Sequence, residues 1–252
     1  MRPAHDADAG GDPQLLAAKR ALREEVWADL AEAEAARFPG ARGRIPNFVG
    51  AEAAADRLQE MPEWAHASTM KANPDSPQWP VRTRALTDGM RVYLAVPRLA
   101  DPEPFLRLDP EALTVSARKA SSIKGASTYG APAGVADVER LDLVVVGCVA
   151  VDADGARLGK GGGFADLELA IASEAGLVDD ETVVVTTVHP RQLLEPGRIP
   201  VTAHDIAVDL VVTPDEVLRC ARQGPRTAGV RWEELTEEKI AAIPVLKALR
   251  ER

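Results

Sequence analysis

The segment RLGKGGGFADLE, residues 157–168, has the residue types and spacing of an anion-binding loop. Four glycines and Lys160 fall between Gly159 and Gly163, directly before an apolar periodic run that predicts a helix. Glycine permits a positive φ and a close approach of the backbone to a ligand. A helix start offers unpaired N–H groups and the positive end of the helix dipole. The segment therefore favours a phosphate site over the alternative, a plain loop without a ligand.

The spacing in this segment fits neither common nucleotide motif. Lys160 is followed by glycine, whereas a P-loop has Ser or Thr there, and the Gly-x-Gly-x-x-Gly pattern is missing. Arg157 and Lys160 add positive charge inside the turn, and Asp166 follows at its far end. The phosphate prediction therefore rests on glycine, positive charge and a helix start rather than on a known fingerprint.

The composition excludes several classes of protein. The 252 residues include 46% hydrophobic and 27% charged residues, as in an ordinary globular protein, and the formal net charge of −9 argues against broad nucleic-acid binding. Cys148 and Cys220 lie in apolar contexts and predict buried free thiols in a reducing cytosol, so we expect a cytoplasmic protein. No apolar run approaches the roughly 18 residues of a membrane span. Residues 1–12 predict a disordered leader before a single domain at 13–252.

Alternating helical and β-rich segments predict an α/β fold. Asp12-Pro13 is a helix-start signal, and the helix it predicts runs from Gln14 to Arg37, before Pro39-Gly40. Further helices are predicted at residues 51–59, 166–175, 215–222 and 236–250, and strands at 69–72, 91–96, 141–146, 183–188 and 208–212. Unbroken apolar runs such as LDLVVV suit strands that are covered on both faces. We therefore predict a three-layer, Rossmann-like α/β domain with a mostly parallel sheet and helices on both faces.

The glycine loop has a definite position in this plan. It follows the predicted strand at 141–146 and precedes the helix that begins near Asp166, where open α/β sheets bind ligands. A β-hairpin over residues 149–158, turning at Asp154-Gly155, is predicted to lie between them.

Three blocks of the sequence resemble the 5-formyltetrahydrofolate cyclo-ligases, also called methenyltetrahydrofolate synthetases. The blocks are KRALR at residues 19–23, DGARLGKGGGFAD at 154–166 and HDIAVDLVVTP at 204–214, in the order that the family has. A divergent branch, the methenyltetrahydrofolate synthetase domain-containing proteins, is more closely similar in RIPNFVG, KANPDSPQWPVR, VPRL, DLVVVGCVAV and GKGGGFADLE. The resemblance implies a cyclo-ligase type of fold and an ATP-dependent ring closure. In that reaction ATP phosphorylates the formyl oxygen of 5-formyltetrahydrofolate, the neighbouring ring nitrogen attacks the activated carbon, and phosphate leaves to give 5,10-methenyltetrahydrofolate.

The resemblance also implies site residues. The residues that would hold the ATP phosphates are Lys19, Arg23, Arg157, Gly159, Lys160, Gly161, Gly162 and Gly163. Lys160 and Asp166 would be catalytic, and Asp166 would hold Mg²⁺ together with phosphate oxygens or orient the loop. Phe164, His204 and Asp205 would contact the folate-like substrate, although the residues themselves favour a hydrogen-bonded structural pair for His204-Asp205, with pocket contact second.

Departures from the family pattern leave other functions open. The paired tyrosines of the family motif are Phe164 and Ala165 here, the basic residue after the aspartate is Leu167, and MRVYLAVPRL occupies the region of an acidic substrate-binding segment. One alternative is a relative that acts on another heterocycle. The other is a regulatory protein that binds nucleotide without catalysis.

Smaller groups of residues each allow two interpretations, one structural and one functional. Asp75 and Arg82 could form a loop salt bridge or line the substrate pocket. The cations Arg118, Lys119 and Lys124 predict a solvated basic face, with binding of an acidic substrate tail as the alternative. No Cys/His cluster has ligand spacing, so metal binding by His189 or His204 is not expected.

Overall fold

The computed structural model describes residues 12–202, 205–221 and 229–251, so residues 1–11 of the predicted leader lie outside it. The helices are α1 (Pro13–Glu32), α2 (Ala51–Gln59), α3 (Pro62–Ala65), α4 (Trp79–Thr87), α5 (Ala117–Ala120), α6 (Ile123–Tyr129), α7 (Phe164–Glu174), α8 (Glu237–Ala242) and α9 (Pro244–Arg250). The strands are β1 (Thr69–Ala72), β2 (Arg91–Ala95), β3 (Phe105–Leu108), β4 (Ala131–Ala133), β5 (Leu143–Val145), β6 (Ala150–Asp152), β7 (Arg157–Leu158), β8 (Val183–Thr187), β9 (Leu193–Leu194), β10 (Leu210–Val212) and β11 (Val217–Arg219).

The main sheet, within the described residues, has eight strands in the order β11-β10-β8-β5-β1-β2-β3-β4. The central strands β10, β8, β5, β1 and β2 run parallel. β11 pairs antiparallel with β10 at one edge, and at the other side β3 pairs antiparallel with β2 and the edge strand β4 pairs antiparallel with β3. One apolar cluster lies against α7, and another lies against α2 and α4. This arrangement confirms the predicted α/β fold with a mostly parallel sheet between layers of helices.

The direction in which the chain moves across the sheet changes between β1 and β5. From β1 the chain passes through α4 to β2 on one side, whereas β5 pairs with the other side of β1 and is followed outward by β8 and β10. The carboxyl ends of β1 and β5 therefore form a topological switch point, which is where open α/β sheets bind ligands.

A small second sheet, in the order β7-β6-β9, leads into the glycine loop. β6 and β7 form the predicted hairpin. α1 packs on this sheet through an apolar stripe, whose members Leu22, Val26, Trp27 and Leu30 share a cluster with Val149, Ala150 and Leu158. Lys19 and Arg23 lie on the same buried stripe of α1, so its packing also carries these two cations inward.

The prediction of a helix at residues 215–222 is wrong. Val217–Arg219 form β11, which pairs antiparallel with β10. The chain turns back because Oγ1 of Thr213 accepts the backbone N–H groups of Asp215 and Glu216 at 3.1 and 3.0 Å. Local composition favours a helix here, but pairing with a buried strand overrides it.

Two further helices have different ends from those predicted. The first helix ends at Glu32 rather than Arg37, because residues 35–37 leave it to hydrogen-bond with residues 47–49. The helix predicted at 236–250 is divided into α8 and α9 at Ile243, which precedes Pro244. The antiparallel strands β3 and β4 were not predicted, since both are short and β4 contains a proline.

Candidate functional site

The glycine loop, residues 159–163, connects β7 to α7 and needs glycine at specific positions. Gly161 and Gly163 have φ values of 101° and 62°. A Cβ on Gly161 would lie 3.3 Å from Nη1 of Arg23, so a side chain there would be strained and would crowd the guanidinium. Gly163 is the N-cap of α7. The loop backbone therefore runs into a helix start, as the phosphate prediction requires.

α1 brings two of the predicted cations to this loop. Nε of Arg23 donates to the carbonyl oxygen of Gly159 at 2.7 Å. Nζ of Lys19 lies 2.5 Å from Oδ2 of Asp205, which also accepts the backbone N–H of Thr202 at 2.7 Å. Burial raises the pKa of Asp205, but the hydrogen bond and charge of Lys19, with the bonds from Thr202, outweigh burial and lower this pKa below its ordinary value. Asp205 is therefore a carboxylate held between α1 and its own loop.

Arg157 and Asp166 form an ion pair at the base of the loop. Nη2 of Arg157 donates to Oδ1 of Asp166, and the backbone N–H of Ile206 donates to the same oxygen at 3.1 Å. The Arg157 side chain is 3% exposed. Burial lowers the pKa of Arg157, but the charge and hydrogen bond of Asp166 outweigh it and raise this pKa. The pair joins the strand before the loop to the helix after it, while direct contacts of either residue with phosphate or Mg²⁺ stay predictions.

Lys160 extends from the loop toward solvent. Its side chain is 51% exposed, and Nζ lies 3.3 Å from Oδ1 of Asp75, in the turn after β1. Phe164 is partly buried against the apolar cluster that contains α7, and its ring lies beside Gly162, where a Cβ would come within 3.2 Å of it. Lys160 is thus accessible from solvent.

Three buried polar residues that meet at α7, namely Lys71, Asn73 and Glu168, were not predicted from the sequence. Nζ of Lys71 and Nδ2 of Asn73 both donate to Oε2 of Glu168, the latter at 3.2 Å. A signal for two of them exists in the sequence. Lys71 lies inside a strand that is buried on both faces, and Glu168 lies on the apolar face of a helix. Both positions are normally apolar.

Gln78 is a further residue that sequence reasoning misses. It is fully buried, and among the described residues neither Nε2 nor Oε1 of its side chain has a hydrogen-bond partner. It lies beside Gly147, whose Cβ would come 3.1 Å from Oε1 of Gln78 and 2.8 Å from Ile45. Since Gln78 follows β1 and Gly147 follows β5, this amide is at the switch point. A buried amide without partners costs stability, so Gln78 is unusual among buried polar side chains.

Arg82 binds backbone rather than the carboxylate of Asp75. Its guanidinium donates to the carbonyl oxygens of Asn73, Asp75 and Ser121 at 2.5, 3.1 and 3.0 Å. Complete burial lowers the pKa of Arg82 to about 9, partly opposed by the charge of Asp75. Arg82 therefore fixes the turn that carries Asp75, and Asp75 in turn contacts Lys160.

The other candidates contribute less to this site. Arg118 stacks over the Trp79 ring at 4.4 Å, and Lys119 lies 5.3 Å from the Tyr129 ring centre, so these cations cover surface aromatic rings. Cys148 is a buried free thiol, whereas Cys220 is free but only half-buried. His204 lies outside the described residues.

Two features are absent from the parts of the chain that the structure describes, residues 12–202, 205–221 and 229–251. No group of three or more His, Cys, Asp or Glu side chains there is arranged to hold a metal ion. Nor is any helix in these ranges both long enough and apolar enough to cross a membrane.

Comparisons with known proteins give a family match over most of the chain and a similar fold. The 5-formyltetrahydrofolate cyclo-ligase family matches residues 14–214. The methenyltetrahydrofolate synthase domain-containing protein of Bos taurus is 35% identical over 242 residues, which are 95% of this chain and 63% of the relative, so the chain spans under two thirds of that protein. The mitochondrial 5-formyltetrahydrofolate cyclo-ligase of Arabidopsis thaliana is 38% identical over 84 residues, 32% of this chain and 30% of the relative. The structure of 5,10-methenyltetrahydrofolate synthetase from Aquifex aeolicus has a TM-score of 0.53 at 24% identity, over 85% of this chain and 97% of that one, and supports the fold.

Proposed function

Because the chain belongs to the 5-formyltetrahydrofolate cyclo-ligase family, we propose that it is an ATP-dependent cyclo-ligase that converts 5-formyltetrahydrofolate to 5,10-methenyltetrahydrofolate. The observation that carries the proposal is the glycine loop, which Arg157 and Asp166 close at its base and whose backbone Arg23 holds. Such a loop suits a polyphosphate, and phosphoryl transfer depends mainly on positioning and charge neutralisation.

The residues around the loop fit the phosphates of ATP. The positive φ values of Gly161 and Gly163 and the start of α7 suit a loop whose backbone N–H groups would converge on an anion. Lys160, half exposed, supplies a cation that can follow an arriving phosphate. Lys19 and Arg23 supply buried positive charge behind the loop. Bound ATP would provide the phosphoryl group that activates the formyl oxygen, and these residues would bind and neutralise it.

Mg²⁺ is part of the proposal, with Asp166 as its protein ligand. Mg²⁺ is commonly bound by one or two carboxylates together with substrate phosphates and water, so a lone protein carboxylate beside a phosphate loop is sufficient. Both contacts described above for Asp166 use Oδ1. The carboxylate would therefore orient the loop through one oxygen and face the ion through the other.

The folate half of the site would lie at the switch point. Gln78 offers an amide donor and acceptor side by side, which suits the polar edge of a flat heterocycle. Phe164 offers part of an aromatic face. Asp205 would act indirectly, through Lys19, and His204 is the remaining proposed substrate contact.

A second candidate function is ATP-dependent chemistry on another heterocycle, or nucleotide binding without turnover. Ala165 favours it, because this half-exposed position in the first turn of α7 carries a tyrosine in the family motif. The loss of an aromatic ring removes flat contact area for a pterin. We therefore expect firm ATP binding and cyclo-ligase turnover slower than that of a family member with both tyrosines.

The test is the absorbance rise of methenyltetrahydrofolate after mixing protein, Mg²⁺, ATP and 5-formyltetrahydrofolate. A cyclo-ligase with both tyrosines, assayed in parallel, sets the scale, and samples without ATP set the background. Product formation that requires ATP supports the cyclo-ligase proposal. The proposal is contradicted if calorimetry shows ATP binding but no product forms, or if ATP hydrolysis does not depend on 5-formyltetrahydrofolate. Either result favours the second candidate.

A further inference from the structure

Glu168 is the centre of a buried polar network with Lys71 and Asn73, and none of these three residues was predicted to belong to the site. The side chains of Lys71 and Glu168 are 2% and 8% exposed, and Asn73 is also buried. Lys71 belongs to β1, Asn73 follows this strand, and Glu168 lies on the buried face of α7. The network therefore connects the helix at the glycine loop to the strand at the switch point.

The hydrogen bonds of this network form a closed circuit. Oδ1 of Asn73 accepts the backbone N–H of Gly147 at 3.1 Å. The carbonyl oxygen of Gly147 accepts a longer bond, of 3.5 Å, from Nη1 of Arg157. Arg157 in turn pairs with Asp166, two residues before Glu168 on the same helix. The first two turns of α7 are thus held from both sides, by β7 through Asp166 and by β1 through Glu168.

The physics of buried charge points to a role beyond stability. Taking Lys71 and Glu168 out of water is costly, and an apolar pair of similar volume usually stabilises a core as well or better. An apolar pair makes no hydrogen bonds, so it does not fix the orientation of the two elements. Two hydrogen bonds that converge on Oε2 of Glu168 fix where the helix lies relative to β1.

We propose that Glu168 is a positioning residue, which acts through Lys71 and Asn73 to hold the start of α7 so that the glycine-loop N–H groups converge on the phosphates. The identity of the ligand rests on the proposed function. The geometric part, a loop held in place by Glu168, does not depend on it.

The experiment compares amide hydrogen exchange over residues 164–170, thermal unfolding and ATP affinity in three proteins besides the wild type. Glu168→Gln removes the charge, and Lys71→Met/Glu168→Leu replaces the pair by apolar side chains. Glu63→Gln is the matched control, because Glu63 pairs with Arg219 of β11, away from the loop. Exchange over residues 183–187 of β8 serves as an internal reference.

We expect Glu168→Gln to exchange at residues 164–170 at least about tenfold faster than wild type and to bind ATP at least about tenfold more weakly, since both hydrogen bonds lose their charged acceptor and Lys71 loses its counter-charge. The double variant should unfold at or above the wild-type temperature and still exchange faster at these residues. The control should leave their exchange unchanged. A double variant that folds stably and exchanges like wild type would overturn the proposal, because the pair would then be structural only.

Asn73→Ala decides the matter if the double variant fails to fold. It removes the link between Glu168 and Gly147 without leaving an unpaired charge. Faster exchange at residues 164–170 supports the positioning role, and wild-type exchange contradicts it. A wild-type protein that does not bind ATP would contradict the proposed function instead, while the exchange result would still decide this inference.

Discussion

Arg157 and Asp166 form a buried ion pair that joins the two ends of the glycine loop. Arg157 begins β7, Asp166 lies in the first turn of α7, and the backbone N–H of Ile206 completes the contacts of the carboxylate. Since the pair joins the residues on either side of the loop, the shape of the loop depends on a charge interaction that is largely shielded from solvent.

Asp166→Asn should destabilise the protein by about 3–5 kcal/mol, because it leaves the buried guanidinium of Arg157 without a counter-charge. Urea unfolding measures this change in the free energy of unfolding. Asp179→Asn is the control, since Asp179 pairs with Arg140 in an exposed position, where a pair contributes little. Equal losses of unfolding free energy in the two variants would mean that burial does not increase the contribution of the Arg157 pair to stability. If Asp166 also holds Mg²⁺, the variant should bind ATP with less dependence on added Mg²⁺ than wild type.

Lys160→Ala should weaken ATP binding without unfolding the protein. Its side chain is half exposed, so little packing is lost, whereas a charged contact to phosphate contributes on the order of 1.5–3 kcal/mol. Calorimetry with ATP should therefore give a Kd larger by about tenfold or more. Lys119→Ala removes a lysine that covers the Tyr129 ring and should leave ATP affinity unchanged. Wild-type affinity in Lys160→Ala would mean that this lysine is not a phosphate contact.

Asp75→Asn should modestly tighten ATP binding. Asp75 accepts from Nζ of Lys160 at 3.3 Å, so an incoming phosphate must compete with this carboxylate for the lysine. The contact is partly exposed, and such pairs contribute about 0–1 kcal/mol, so we expect a gain in affinity of no more than about fivefold. A large loss of affinity or turnover would instead identify Asp75 as a ligand contact in its own right, the other reading of this position.

The stability contributed by Asp205 should disappear in acid. Its pKa in the folded protein is below the ordinary value of 3.8, so the folded state favours the ionised form. The contribution is therefore complete above about 3.8, the pKa expected in the unfolded chain, and is lost as the pH falls through the lower value of the folded protein. Asp205→Asn should be less stable than wild type at neutral pH, with the difference shrinking below about pH 4. A difference independent of pH would show that the Lys19 contact does not depend on ionisation.

The sequence predicts the loop better than it predicts what surrounds the loop. Glycine content, a helix start and the hairpin before it are local properties, and the structure has each of them at residues 150–164. The region at 215–222 was misread because β11 depends on pairing with β10, a contact that local composition does not encode. Gln78 and Glu168 were missed for a similar reason. Gln78 is an ordinary polar residue in the sequence, and although Glu168 falls on the apolar face of a helix, the partners that give it a role come from the distant strand β1 and the turn after it.

Gln78→Leu should stabilise the protein without ligands and impair its reaction with folate. The side chain is fully buried, and neither polar atom of its amide has a partner among the described residues, so an apolar side chain of similar size should gain about 1–3 kcal/mol in the free energy of unfolding. The same change removes the donor and acceptor proposed for the heterocycle, so the KM for 5-formyltetrahydrofolate should rise while ATP affinity holds. Gln192→Leu is the matched control. Gln192 is equally buried, but its amide nitrogen donates to the carbonyl oxygens of Cys148 and Val149 at 3.2 and 3.1 Å, so its loss should destabilise the protein. If Gln78→Leu destabilises the protein as the control does, the amide of Gln78 stabilises the fold and is not a substrate contact.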